Sequence, residues 1–221
     1  MKKSGLFKRS LVTATVAPIF LIACALPEKY SRLGSGRNVC TPQDSNLCFN
    51  VLPALLESAD NGMFHLRDEL RFVDVKGQTW SAPSNTITDG ASIPAIFVPL
   101  IGTRMSLRWR EAAILHDAYC AEANENLPQY QSADWETVHQ MFYDAVLALG
   151  TSPTKALIMY AAIYLGGPRW EDPKRSLDQV SDEQLQGVMQ RCLDWIEEND
   201  PDPEKLRKWM QDREAELLQA I

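Results

Sequence analysis

Ile114-Leu115-His116-Asp117-Ala118-Tyr119-Cys120 lies near the middle of a chain of 221 residues and sets an imidazole beside a carboxylate in apolar surroundings. Leu107, Ala112, Leu115 and Tyr119 recur at helical spacing, which predicts one helix from Leu107 to about Glu122. Successive residues on a helix are about 100° apart, so His116 and Asp117 cannot both point straight inward unless they flank a groove. A charge in such surroundings is costly to bury without a partner. The stretch therefore announces a dedicated polar site, structural or chemical, on an otherwise apolar helix.

Downstream, the same periodicity continues. Trp135, Val138, Phe142, Ala145, Val146 and Leu149 form one stripe from Trp135 to Leu149, with Ser132 or Asp134 as cap and Gly150 as stop. Thr154 to Leu165 follows, with Thr151 or Ser152 as cap, Pro153 in the first turn and Gly166-Gly167-Pro168 at the end. A fourth helix starts near Ser181-Asp182-Glu183 and runs to Glu198. After Asn199-Asp200-Pro201-Asp202-Pro203 comes Glu204 to about Ala220, whose alternating charges predict a solvated surface helix. Upstream, Leu52 to Ser58 reads as a short helix. Phe64–Arg67, Leu70–Val75 and Gln78–Trp80 read as strands, with Lys76-Gly77 as a turn. The fold class is α+β, a small antiparallel sheet packed on a mainly helical bundle. Trp109, Trp135, Phe142, Tyr160, Tyr164 and Trp170 are assigned to its core.

The first residues have the layout of an export signal. Lys2, Lys3, Lys8 and Arg9 precede an apolar run, Leu11 to Ala23, that is too short to cross a bilayer as a helix. The run ends in Leu21-Ile22-Ala23-Cys24, which resembles the lipobox of bacterial lipoproteins. That resemblance implies cleavage before Cys24, diacylglyceryl attachment to its thiol and an acylated amino terminus such as palmitate. Ala25 in the second mature position implies sorting to the outer membrane, with the body on its periplasmic face. The expected divisions are 1–23 leader, 24–50 lipidated tether and loop, 51–170 core and 171–221 acidic C-terminal helices. Losing the leader lowers the formal net charge by four, from −7 to −11. Such a surface repels nucleic acid and anionic headgroups, so the membrane partner is reached through the lipid. Four cysteines remain in an oxidising compartment. Cys40 with Cys48 is the simplest disulfide and Cys120 with Cys192 would be the second; the alternative reading leaves one or both pairs as buried thiols.

Thr88-Asp89-Gly90-Ala91-Ser92-Ile93-Pro94, then Ala112 to Asp117 with Tyr119, Phe142-Tyr143, and Tyr160 with Leu165 to Trp170 resemble a bacterial and phage family of unknown function, DUF1353. The resemblance covers about Phe64 to Trp170 and brings no established activity. In the TDGASIP stretch, Asp89 and Ser92 either cap a stiff turn or face the His-Asp pair and complete a site. The His116-Asp117 helix also resembles that of secreted phospholipases A2, where the His is a general base for water and the Asp a calcium ligand. Tyr119 or Cys120 would extend that match. The glycine-rich calcium loop is missing, and His139 stands where the second helix would supply an acid. His116, Asp117 and His139 also have the ligand types of a divalent-cation site, calcium or zinc.

Two functional readings follow. In the first, a periplasmic hydrolase uses His116 as base, with Asp117, Asp89 and Ser92 orienting it or holding a cation, against a lipid or peptidoglycan ester or amide. In the second, the chain is a non-enzymatic envelope lipoprotein, with phage-related roles included. There the motifs form a buried hydrogen-bond network and the acidic C-terminal helices meet a protein partner.

Overall fold

A computed structural model describes residues 39–40 as backbone, and 48–90, 95–103, 106 and 108–220. All fall within the unit Leu33–Ile221. Cys24 and Ser92 lie outside the described residues. The architecture is α+β. One antiparallel sheet takes the order β1 (Val39–Cys40), β2 (Cys48–Phe49), β5 (Leu70–Val73), β6 (Thr79–Ala82). A second, also antiparallel, takes the order β3 (Leu56–Ser58), β4 (Phe64–Leu66), β7 (Ile87–Thr88). In β5 and β6, Leu70, Phe72, Trp80 and Ala82 are buried, the alternation that a half-covered sheet imposes. The turn between them forms at Lys76-Gly77, where Gly77 takes φ +78°. Asp74 Oδ1 accepts from Lys76 N and Gln78 N, both at 2.9 Å, and its Oδ2 accepts from Trp80 Nε1.

The short helix expected over Leu52–Ser58 is absent. In its place Leu56 to Ser58 pair with Leu66 to Phe64 as a strand. The strand edge offered by Phe64–Leu66 satisfies the backbone groups of Leu56–Ser58.

Beyond a short helix α1 (Val98–Ile101) come α2 (Arg110–Cys120), α3 (Trp135–Ala148), α4 (Pro153–Gly166), α5 (Asp182–Asn199) and α6 (Pro203–Gln219). Helix α2 lies on β6 and β7, α3 lies between α2 and α4, and α5 and α6 pack on α4. Helix α4 carries Ala156, Leu157 and Met159 through Leu165 buried on every side, which suits a central helix. Asp134 caps α3 through Thr137 N at 2.8 Å. Ser181 and Gln184 close a capping box on α5. The terminal helix departs from the surface expectation: Leu206, Met210, Glu214 and Leu217 are buried, while its charged residues alternate on the outer side. Burying Leu206 and Met210 stabilises the fold by roughly 1.5–3 kcal/mol each. No helix among the described residues is long and apolar enough to cross a membrane.

Candidate functional site

Helices α2 and α3 bring His116 and His139 together at 5.1 Å between ring centroids. Both are fully enclosed. The Phe142 ring stands edge-on to His116 at 5.6 Å, and Trp135 edge-on to His139 at 5.3 Å. One turn along α2, Cys120 Sγ lies 3.2 Å from His116 Nδ1. Burial drives the imidazole of His116 down to about 4. Burial, and secondarily the charge of Asp117, push the Cys120 thiol well up. The pair is thus a neutral thiol on a neutral imidazole, at a helix C-terminus where the dipole disfavours an anion. Burial of both groups works against a thiolate here, even with an imidazole in contact with the sulfur.

Asp117 turns the other way. It is 1 % exposed, and its Oδ2 accepts from the Thr88 hydroxyl at 2.6 Å. Thr88 Oγ1 in turn accepts from Gly90 N at 3.0 Å, and Gly90 adopts φ +102°. Asn124, just past α2, donates to Asp117 O and Ile87 O and accepts from Ile87 N at 2.8 Å. These bonds fix β7 and the start of the bend after it against α2. Asp89 itself is exposed, and Thr88 just before it meets Asp117. Tyr119 faces the sheet, its hydroxyl accepting from Ser81 N at 3.3 Å and its ring set edge-on to Trp80.

His139 has neither ring nitrogen in a well-formed hydrogen bond. Burial first, then the neighbouring His116 and Arg169, hold its pKa well below the ordinary value, with the facing Pro168 carbonyl opposing weakly. A β-carbon at Gly167 would stand 3.1 Å from His139 Nε2 and 2.5 Å from Ile163 O, so only glycine lets α4 end against this ring. Among the described residues, His116, Asp117 and Cys120 form a group of potential metal ligands, all within 4.8 Å of one another. His139, the third ligand expected, stands beside His116 across the contact of α2 with α3. Nitrogen, sulfur and one carboxylate suit zinc; calcium wants six to eight oxygens, which these residues do not offer.

The second expected disulfide is overturned. Cys120 and Cys192 are both free and buried, on α2 and α5. Burial pushes the Cys192 thiol up to about 12. Cys48 is not among the free thiols, and the β1–β2 register sets it opposite Cys40.

Two charged groupings escape the sequence reading. Arg175 forks onto Glu214 through Nε at 2.6 Å and Nη2 at 2.9 Å, and also meets Glu136 at 2.8 Å. Tyr164 Oη donates to Glu214 at 2.6 Å, and Arg169 lies 3.3 Å away. Both guanidinium groups lie over Trp135, at 4.6 and 4.8 Å. The second grouping is Asp144, buried near Asp74 and raised to about 6 chiefly by desolvation. The i,i+4 pairing of His116 with Cys120 was visible in the sequence; partners as distant as Arg175 and Glu214 leave no local signal.

Residues 64–163 match a family described as "Protein of unknown function (DUF1353)". The chain is 32 % identical over 134 residues to "Uncharacterized protein y4iH" of Sinorhizobium fredii (strain NBRC 101917 / NGR234), covering 60 % of this chain and 53 % of that protein. It is 32 % identical over 108 residues to "Uncharacterized protein y4jT" of the same strain, covering 49 % of this chain and 30 % of that protein. The chain thus spans about half the length of the first relative and under a third of the second. No solved structure matches.

Proposed function

We propose that the chain is an envelope lipoprotein of the DUF1353 family, anchored at the outer membrane through Cys24, whose domain works by binding and not by hydrolysis. The observation that supports this best is the enclosure of His116, which is 0 % exposed and ringed by Cys120, His139 and Phe142. A general base has to reach its water and is most effective with a pKa near the working pH. This imidazole is sealed and weakly basic. The His-Asp motif then serves as an internal brace joining β7, α2 and α3. A Cys40–Cys48 disulfide tying the first strand to the sheet belongs to the same reading and is supported by their register. Outward binding falls to α5 and α6, which expose Glu183, Asp194, Glu197, Glu204, Asp212 and Glu216 to a basic envelope partner.

Two measurements test this together. Cys24→Ala abolishes labelling by a palmitate analogue and moves the chain out of the membrane fraction. His116→Gln lowers the melting temperature, and the parent protein cleaves neither ester nor muropeptide amide substrates faster than this variant. A parent activity that a well-folded His116→Gln variant lacks would establish the hydrolase instead.

A second reading keeps this address and gives the brace a structural zinc ion. It is favoured by the His116, Asp117 and Cys120 donors and by the unsatisfied nitrogens of His139. Zinc would supply charge compensation and cross-linking of α2, and would hold the Cys120 thiol deprotonated. The expected result is about one zinc per chain after dialysis, lost in Cys120→Ser together with several degrees of melting temperature. A metal-free protein of unchanged stability after chelation rejects it.

A further inference from the structure

Apolar side chains left in water collect at one end of the molecule, around the start of α2. Leu55 is 50 % exposed and Leu100 is 37 % exposed. Pro53 and Pro99 beside them are exposed too, and Ile96 and Val98 are half-buried. Contacts with α2 place both segments there. Ala54 N donates to Glu111 Oε1 at 3.0 Å and Arg110 Nη2 donates to Ala54 O at 3.1 Å, which sets Leu55 at the first turn of α2. Helix α1 ends at Gly102, where a β-carbon would stand 3.4 Å from the ring of Trp109, the residue ahead of α2. Lys155, in the first turn of α4, donates to Leu100 O at 2.9 Å. Single apolar side chains in solvent are ordinary, but a group gathered at one end marks a contact surface.

Two features say what covers it. The first is local charge. Gly90 to Arg110 holds three arginines and no acidic residue, in a chain whose formal net charge is −7. Glu57, just beyond Leu55, faces Arg67 at 4.0 Å. Screening holds each charge's reach to about 8 Å at physiological salt, so the local sign outweighs the negative total beside an anionic headgroup. The second is the tether. Only about 50 Å of extended chain separates Cys24 from β1, and β2 leads within a few residues into Pro53. A body held so close to the bilayer meets it at high effective concentration, so a small apolar surface suffices.

We propose that this end of the domain lies on the phospholipid bilayer, with Leu55 and Leu100 dipping to the headgroup–acyl boundary and the arginine-rich stretch at anionic headgroups. This contact builds on the reading of Cys24 as the anchor, and it fixes which face of the domain turns toward the membrane.

The test uses the acylated full chain on vesicles of phosphatidylethanolamine and phosphatidylglycerol with brominated acyl chains, which quench indole emission on contact. Flotation reads the anchor; quenching reads the surface. Leu55→Trp and Leu100→Trp, both at exposed positions, are each expected to add emission that the bromolipid largely removes. Asn126→Trp, exposed and beyond the far end of α2, is expected to add emission that survives. A chain that floats but shows no more quenching at positions 55 and 100 than at 126 overturns the contact and leaves the anchor standing. Quenching at 55 and 100 in a chain that carries no acyl group upholds the contact and removes the anchor. A chain that does not float overturns both. A dimer in sedimentation that Leu55→Asp dissolves, with no quenching, makes a second copy the occupant and also overturns the contact.

Discussion

Glu214→Ala is expected to destabilise the fold by about 3–5 kcal/mol, enough to unfold a large share of a marginally stable domain. Glu214 is 3 % exposed and sits on the inner face of α6. Burial opposes its charge, but hydrogen bonds from Arg175 and Tyr164 and the adjacent Arg169 outweigh that effect and hold its carboxyl below the ordinary range. Removing it leaves two guanidinium groups stacked on Trp135 without the carboxylate they share. Urea unfolding of the variant should show a lower midpoint with α5 and α6 melting as part of the domain. A loss under about 1 kcal/mol, the level of a surface pair, would mean that the C-terminal helices are not integral to the fold. Glu214→Gln separates charge from shape: it keeps an acceptor for Arg175 and should lose less than alanine does.

Acidification gives the second large effect, in which two histidines act against one aspartate. The folded pKa of His116 is lowered from 6.5 to about 4. The unfolded chain therefore binds the proton first, and stability falls as pH drops through that window by roughly 2–3 kcal/mol. His139, lowered well below its ordinary value, adds a loss of the same sign. Asp144 is raised from 3.8 to about 6, so the folded chain takes up its proton first. Its contribution is full below 3.8, disappears as pH rises through 6, and offsets about 2 kcal/mol of the histidine loss on acidification. Asp144→Asn removes that offset, so its stability should fall more steeply than the parent's between pH 7 and pH 4.5. Parallel urea-stability profiles for the two proteins would show that Asp144 titrates normally.

Much of the helical half was legible because its signals are local. The stripe from Trp135 to Leu149, the Pro153 start of α4 and the Ser181 cap are each written within a few residues of where they act. The terminal helix was harder to read. Alternating charges on its outer side concealed Leu206, Met210 and Glu214, whose burial depends on α4 presenting apolar surface on all sides. The strand Leu56–Ser58 was missed for a similar reason, since its partner Phe64–Leu66 supplies the structure that its own residues do not. At the site, the sequence identified His116 and Asp117 as a joint feature. Their different partners, Cys120 and Thr88, follow from the packing of α2 between α3 and β7.

The carboxamide of Asn124 imitates a peptide unit, giving and receiving one proton bond with Ile87 as a neighbouring strand would. The three-stranded sheet is in effect extended past β7 by a single side chain. Its boundary is therefore encoded by one residue outside any strand, and an aspartate there would keep the accepting half of the mimicry while losing the donating half.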